Sequence, residues 1–274
     1  MDTPVDLSTH SENPNPADSI VNSSVDQNKL IYCHQLSKVY GDFVAVDCLD
    51  LEVQPGKVLG LVGPNGAGKT TSLRCLAGII PASSGDIVIN GNPMSVDTVS
   101  AKANLCFVPD TPHLFEYLTV EEHLRFAGRI HGLADIDQRI ERLLHQFELS
   151  DKADNLPESL SRGMKQKVAI CLGFLHDPVA IFLDEPLTGL DPLGIRRMKD
   201  AITARARKNN AAVIISSHQL ELIEAICDEI FIIKNGRKVV SGTLDELHDF
   251  IGVDRGALSL ENLFFQLTGE EEKE

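Results

Sequence analysis

The chain has 274 residues, 43% of them hydrophobic, and a formal net charge of −15. That content can bury the core of one large domain or two small ones. No apolar run approaches the ~18 residues of a membrane-crossing helix, and the acidic balance excludes a general nucleic-acid-binding surface.

Residues 1–28 carry five acids and no Lys or Arg, and are rich in Ser, Asn and Pro. Such a segment buries too little apolar surface to offset its ordering entropy, so it is expected to be a disordered tail. Residues 30–38 and 44–53 then read as strands, the second ending at the turn Gln54-Pro55-Gly56. An apolar run, residues 58–62, leads into Gly63-Pro64-Asn65-Gly66-Ala67-Gly68-Lys69-Thr70-Thr71, and a helical run follows over residues 70–77. Strand, glycine-rich loop and Gly-Lys-Thr opening a helix is the full context of a phosphate-binding P-loop. The glycines let successive N–H groups face inward as an anion nest, and the helix N-terminus adds its partial positive charge. Lys69 then reaches the β/γ-phosphates, and the Thr70 hydroxyl holds Mg²⁺.

The turn at residues 83–86 feeds a strand, residues 87–89, that closes at Asn90-Gly91, a strong hairpin signal. These outer strands predict a small antiparallel sheet beside a parallel core. Residues 105–108 form a short strand ending at Pro109-Asp110. Thr119 and Glu122 make a capping box, and Phe126, Ile130 and Leu133 recur as a helical face. Ile140, Leu143, Leu144 and Phe147 mark a second helix, and Met164, Val168, Cys171, Leu172 and Leu175 a third beyond Ser161. Residues 113–178 therefore read as a mainly helical insert. A buried strand, residues 179–183, resumes the parallel pattern, and Asp191-Pro192 caps a helix. Residues 211–216 are a strand, residues 220–227 a helix, and Asn235-Gly236 turns another hairpin. Thr243 and Glu246 cap a short helix, and Leu260, Leu263, Phe264 and Leu267 predict a last one before the acidic residues 270–274. The six cysteines lie scattered with no Cys-x-x-Cys pair, as reduced core residues of a cytosolic protein do.

The strand Ala180-Ile181-Phe182-Leu183 ends in Asp184-Glu185. Two carboxylates at the end of a buried strand repel each other and lose hydration, so packing alone gives no reason for them. Beside a P-loop, Asp184 faces the Mg²⁺ site and Glu185 orients or deprotonates the attacking water.

With these residues in place, the chain over about residues 30–250 resembles the ATP-binding-cassette family, the nucleotide-binding subunits of ABC transporters. Leu160-Ser161-Arg162-Gly163-Met164 looks like the family signature, Gly189-Leu190-Asp191 like its D-loop, and Ser216-Ser217-His218 like its switch histidine. Tyr40 matches the aromatic residue that stacks on adenine. The resemblance implies an α/β fold of the P-loop NTPase, RecA-like kind, with an antiparallel β subdomain and the helical insert. The ATPase domain would span residues 29–251, with a C-terminal helix and acidic tail over 252–274. It implies ATP and Mg²⁺ as cofactors, and Glu185, His218 and Lys69 as catalytic groups. It implies an ATP site over Tyr40 and residues 63–71, closed by Ser161 and Gly163 of a second ATP-binding subunit, identical or related, with Asp191 in the D-loop between. A transmembrane permease would dock on the insert, holding the chain at the cytoplasmic face of the membrane. Two departures stand out. Asp110 occupies the place of a glutamine that contacts Mg²⁺, and Arg162 and Met164 replace Gly and Gln in the signature. Both resemble the exporter branch whose six-helix membrane subunits are separate chains. Relatives that act in translation or DNA maintenance fuse two cassettes or carry a long coiled coil, and neither feature is present here. A slow regulatory module is the remaining alternative, with Asp110 as its basis.

Overall fold

In the computed structural model, residues 29–254 and 258–269 are described. The predicted tail at residues 1–28 and the acidic end at 270–274 lie outside them.

Two sheets carry the fold. The first is antiparallel: β1 (Ile31–Tyr40), β2 (Phe43–Val53), β4 (Ser84–Ile89) and β5 (Asn92–Pro93), in the order β2-β1-β4-β5. The Asn90-Gly91 turn has both residues at positive φ, 50° and 77°, as a tight hairpin demands. The second sheet holds β3 (Val58–Val62), β6 (Leu105–Val108), β7 (Ala180–Asp184), β8 (Ala212–Ser216), β9 (Glu229–Lys234) and β10 (Arg237–Gly242). Its order is β10-β9-β3-β8-β7-β6, parallel except for the β9/β10 hairpin. Every residue of β3, β7 and β8 is buried, which explains their apolar sequences up to the terminal Asp184 and Ser216: both faces of the sheet are covered.

Strand alternation divides the core. Leu59, Leu61, Phe182, Ile214 and Phe231 point to a cluster shared with the antiparallel sheet and α1 (Lys69–Leu76). Val58, Val62, Ile181, Leu183, Val213 and Ile215 point to the opposite face. There they meet α3 (Val120–Ile130), α4 (Ile136–Gln146), α5 (Arg162–Phe174), α6 (Pro192–Asn209), α7 (Leu220–Ile226), α8 (Leu244–Ile251) and α9 (Leu260–Thr268). Buried Cys33 and Cys106 have their thiols pushed up to about 12 by desolvation, so they behave as small core residues.

Two local readings change. The short helix α2 (Thr98–Ala103) was not expected; it has no apolar periodicity to announce it and is started by the Asp97 carboxylate, which accepts from the Ser100 N–H at 3.0 Å. The capping box at Thr119 and Glu122 does start α3, but the face named from Phe126 and Ile130 is the solvent face. They are 49% and 67% exposed, whereas Val120, His123, Leu124 and Gly128 are buried. Leu133 lies beyond the helix end, partly buried against the core.

Candidate active site

Parallel strands in one sheet bring their carboxyl-terminal loops to one edge, the usual ligand position in such sheets. In the register here Leu61 pairs with Ser216, and Ser216 with Asp184. The loops after β3, β7 and β8 therefore converge, although they come from distant parts of the sequence.

The loop after β3 is shaped by its glycines. A Cβ on Gly63 would run into the Ile233 carbonyl of β9, and one on Gly68 would sit 2.6 Å from the Ala45 carbonyl. Gly66 and Gly68 hold φ of 78° and 104°, backbone that other residues rarely adopt. Gly68 also leaves α1 without a capping side chain, so the first-turn amides keep their donors for an anion. The Lys69 ammonium folds back on the loop, donating to the Gly63 carbonyl and to that of Pro64 at 3.0 Å.

Asp184 ends β7 and is 1% exposed. Its Oδ1 accepts from Thr70 Oγ1 at 3.1 Å and from Ser216 Oγ at 2.7 Å. Its Oδ2 is buried with no partner. A buried carboxylate oxygen without a partner is costly, and a cation would resolve it. The next residue, Glu185, has φ of 48°. Its N–H is pinned by the Ser216 carbonyl at 3.1 Å and by Ser216 Oγ at 3.2 Å. That strained backbone turns its carboxylate toward His218, whose Nδ1 lies 2.8 Å from Glu185 Oε2.

A cavity of about 400 Å³ is lined by residues 65–71 together with Asp110, Asp184 and Glu185, and by Phe43 and Ala45 from β2. Among the described residues no group of three or more His, Cys, Asp or Glu could hold a metal unaided. The donor set, Thr70 with nearby carboxylates, is instead what Mg²⁺ uses when phosphate oxygens complete its shell. It fits.

The other expected residues lie apart. Tyr40 is 48% exposed at the end of β1, outside the cavity lining, with the Lys38 ammonium 4.8 Å from its ring centre. Its register partner Phe43 is the aromatic that lines the cavity. Ser161 is the N-cap of α5, accepting from the Met164 N–H at 3.2 Å, and a Cβ on Gly163 would collide with the Gly189 carbonyl. Asp191 precedes α6 without capping it through its side chain; its Oδ1 lies 3.7 Å from Lys167 Nζ. Ser161, Gly163 and Asp191 thus gather at a second place, not in the P-loop cavity of their own chain.

Two contributors escaped the sequence reading. The role of Ser216 depends on strand register, which one strand alone does not reveal. Phe43 had a signal, a large aromatic just after the Gly41 turn, but Tyr40 matched the expected position instead.

The family model described as ABC transporter matches residues 46–188. The Nod factor export ATP-binding protein I of Cupriavidus metallidurans is 38% identical over 232 residues, 82% of this chain and 75% of its own length. The ABC-type transporter ATP-binding protein EcsA of Bacillus subtilis is 36% identical over 221 residues, 80% of this chain and 88% of its own. A solved structure, an ATP-binding subunit of an ABC transporter, superposes with a TM-score of 0.82 at 35% identity, covering 87% of this chain and 99% of its own.

Proposed function

The chain belongs to the ABC transporter family of ATP-binding proteins, and from that premise we propose how its residues divide the work of binding ATP, hydrolysing it and driving a membrane partner. It is an ATPase, the ATP-binding subunit of an ABC transporter. The observation that carries the residue assignment is the chain Thr70–Asp184–Ser216 with its one unpartnered carboxylate oxygen, set against an uncapped helix N-terminus.

Backbone amides of residues 65–71 and the Lys69 ammonium take the phosphates, and the aromatic edge formed by Tyr40 and Phe43 takes the base. Mg²⁺, when bound, neutralises charge on the β- and γ-phosphates. Thr70 and Asp184 would hold it, with Asp110 as an added acceptor. Glu185 takes the proton of the attacking water as the new P–O bond forms and the bond to the ADP oxygen breaks. His218 steadies Glu185 through Nδ1, leaving its other ring nitrogen for the γ-phosphate.

Ser161 and Gly163, at the N-terminus of α5, face the ATP of a second ATP-binding subunit, so that two chains enclose two nucleotides. Hydrolysis loosens that pair. The permease reads the movement at the helical insert. A groove of about 600 Å³ lined by Leu114, Tyr117, Leu156 and Pro157 together with Glu116, Glu158 and Lys165 suits it, and the same insert exposes Phe115, Phe126 and Ile130. No helix among the described residues is long and apolar enough to cross a membrane; the attachment proposed is through that partner, at the cytoplasmic face. Asp110 and the Arg162 and Met164 signature favour export.

Calorimetric titration with ATP tests the P-loop assignment. Lys69→Ala is expected to lose about 3 kcal/mol of binding, roughly a hundredfold. Unchanged affinity would sink it.

A further inference from the structure

Gln166 is fully buried on α5, and its Nε2 donates to the Pro109 carbonyl at 3.1 Å. Its Oε1 is buried without a partner. A core position that only needed filling would be better served by Leu or Met, because an orphaned amide oxygen is costly to bury. The retained amide therefore points to its donor side.

That donor fixes a particular carbonyl. Pro109 has no N–H and directly follows β6, and the residue after it is Asp110, which lines the P-loop cavity. Gln166 lies one helical turn beyond Gly163 and five residues beyond Ser161 on the same helix. The helix is also fitted closely to β6. A Cβ on Gly173 would stand 3.1 Å from Val108 Cγ2 and 3.3 Å from Cys106 Sγ. One rigid element thus carries the signature residues at its tip and grips the Asp110 loop one turn in.

We propose that Gln166 is a positioning residue that ties Asp110, at the chain's own ATP site, to Ser161 and Gly163, presented to the ATP of the second subunit. Occupation of the first site sets the Asp110 loop, the loop sets α5, and α5 sets the groups offered across the interface. The inference rests on the shared-site reading above. It assigns to a buried residue, in contact with neither nucleotide, the coupling of the two sites.

The test uses the full chain with Gln166→Met, which keeps volume and removes the donor, and Gln166→Glu, which keeps the shape and removes the donor. Each is measured alone and in a Glu185→Gln background. A folded variant should bind ATP within about threefold of the parent, with KM likewise held. Its kcat should fall about tenfold, the effect of one hydrogen bond, and the dissociation constant of the ATP-bound Glu185→Gln dimer should rise by a similar factor. The effect of Asp110→Ala on kcat should shrink in the Gln166→Met background, since both act through one loop. Unchanged kcat and dimerisation in a folded variant would overturn the proposal. So would loss of ATP affinity in step with kcat, or failure of both variants to fold, because either makes Gln166 a packing residue. If Glu185→Gln with Gln166 intact does not dimerise, the shared-site reading fails first and this inference with it. If it dimerises and Gln166→Met dimerises equally well, only the role of Gln166 fails.

Discussion

Ser216 touches both acids of the site: its hydroxyl donates to Asp184 Oδ1, and its carbonyl accepts from the Glu185 N–H. Ser216→Ala should therefore leave ATP affinity within about threefold while steady-state kcat drops about tenfold. Affinity and kcat falling equally would show that Ser216 serves binding alone. Asp110 invites a different comparison. It presents a carboxylate where the family resemblance implies an amide, and Asp110→Gln is expected to keep turnover within about threefold. A marked rise would identify the chain as a weakened ATPase. The P-loop was readable from the sequence because its geometry is local: every group sits within nine consecutive residues, and the glycines announce the backbone they need. Ser216 was not, because its neighbours Asp184 and Glu185 are brought to it by the β7/β8 register alone.

Helix α3 shows how an element can be recognised while its orientation is misread. Its capping box is a local hydrogen-bond pattern and formed as expected. Its core side could not be told from the sequence, since apolar residues occupy two faces. Gly128 settles the packing: a Cβ there would come within 2.6 Å of Ile136 Cγ1, so the helix leans on α4 through its smallest residue. Leu124→Ala should cost about 2–5 kcal/mol in urea unfolding, as buried leucines do. Phe126→Ser should cost less than about 0.5 kcal/mol. It should leave the isolated ATPase intact and weaken co-purification with the membrane subunit; a large stability loss would return Phe126 to the core.

At its C-terminus α3 carries His131, whose ring stacks on His176 with centroids 3.9 Å apart. Burial, and then the His131 ring, push His176 down to about 4 from 6.5. Between those values the unfolded chain binds a proton that the folded chain does not. Stability is therefore full above about 6.5, falls as pH drops toward 4, and levels off below. Allowing for its partial exposure, the loss is about 1–2 kcal/mol. Urea unfolding at pH 7.5 and 4.5 should show a smaller loss for His176→Gln than for the parent chain. Equal losses would contradict a role for this ring.

For the molecule as a whole, the sequence made the order of strands and helices legible, because buried parallel strands and turn residues leave strong local marks. Two separate half-sites were legible only through the family resemblance, because no local mark in the sequence says how far Ser161, Gly163 and Asp191 stand from the P-loop. The P-loop cavity gathers Thr70, Asp110, Asp184 and Glu185, while Ser161, Gly163 and Asp191 lie elsewhere. A nucleotide in the cavity is enclosed on one side by its own chain, and the signature residues have no phosphate of their own to meet. On the proposed reading, each half is completed by a second subunit. Sedimentation of Glu185→Gln in saturating ATP and Mg²⁺ measures this directly. A dimer is expected with ATP and a monomer with ADP. A chain that binds ATP by calorimetry yet stays monomeric under these conditions would contradict the shared site.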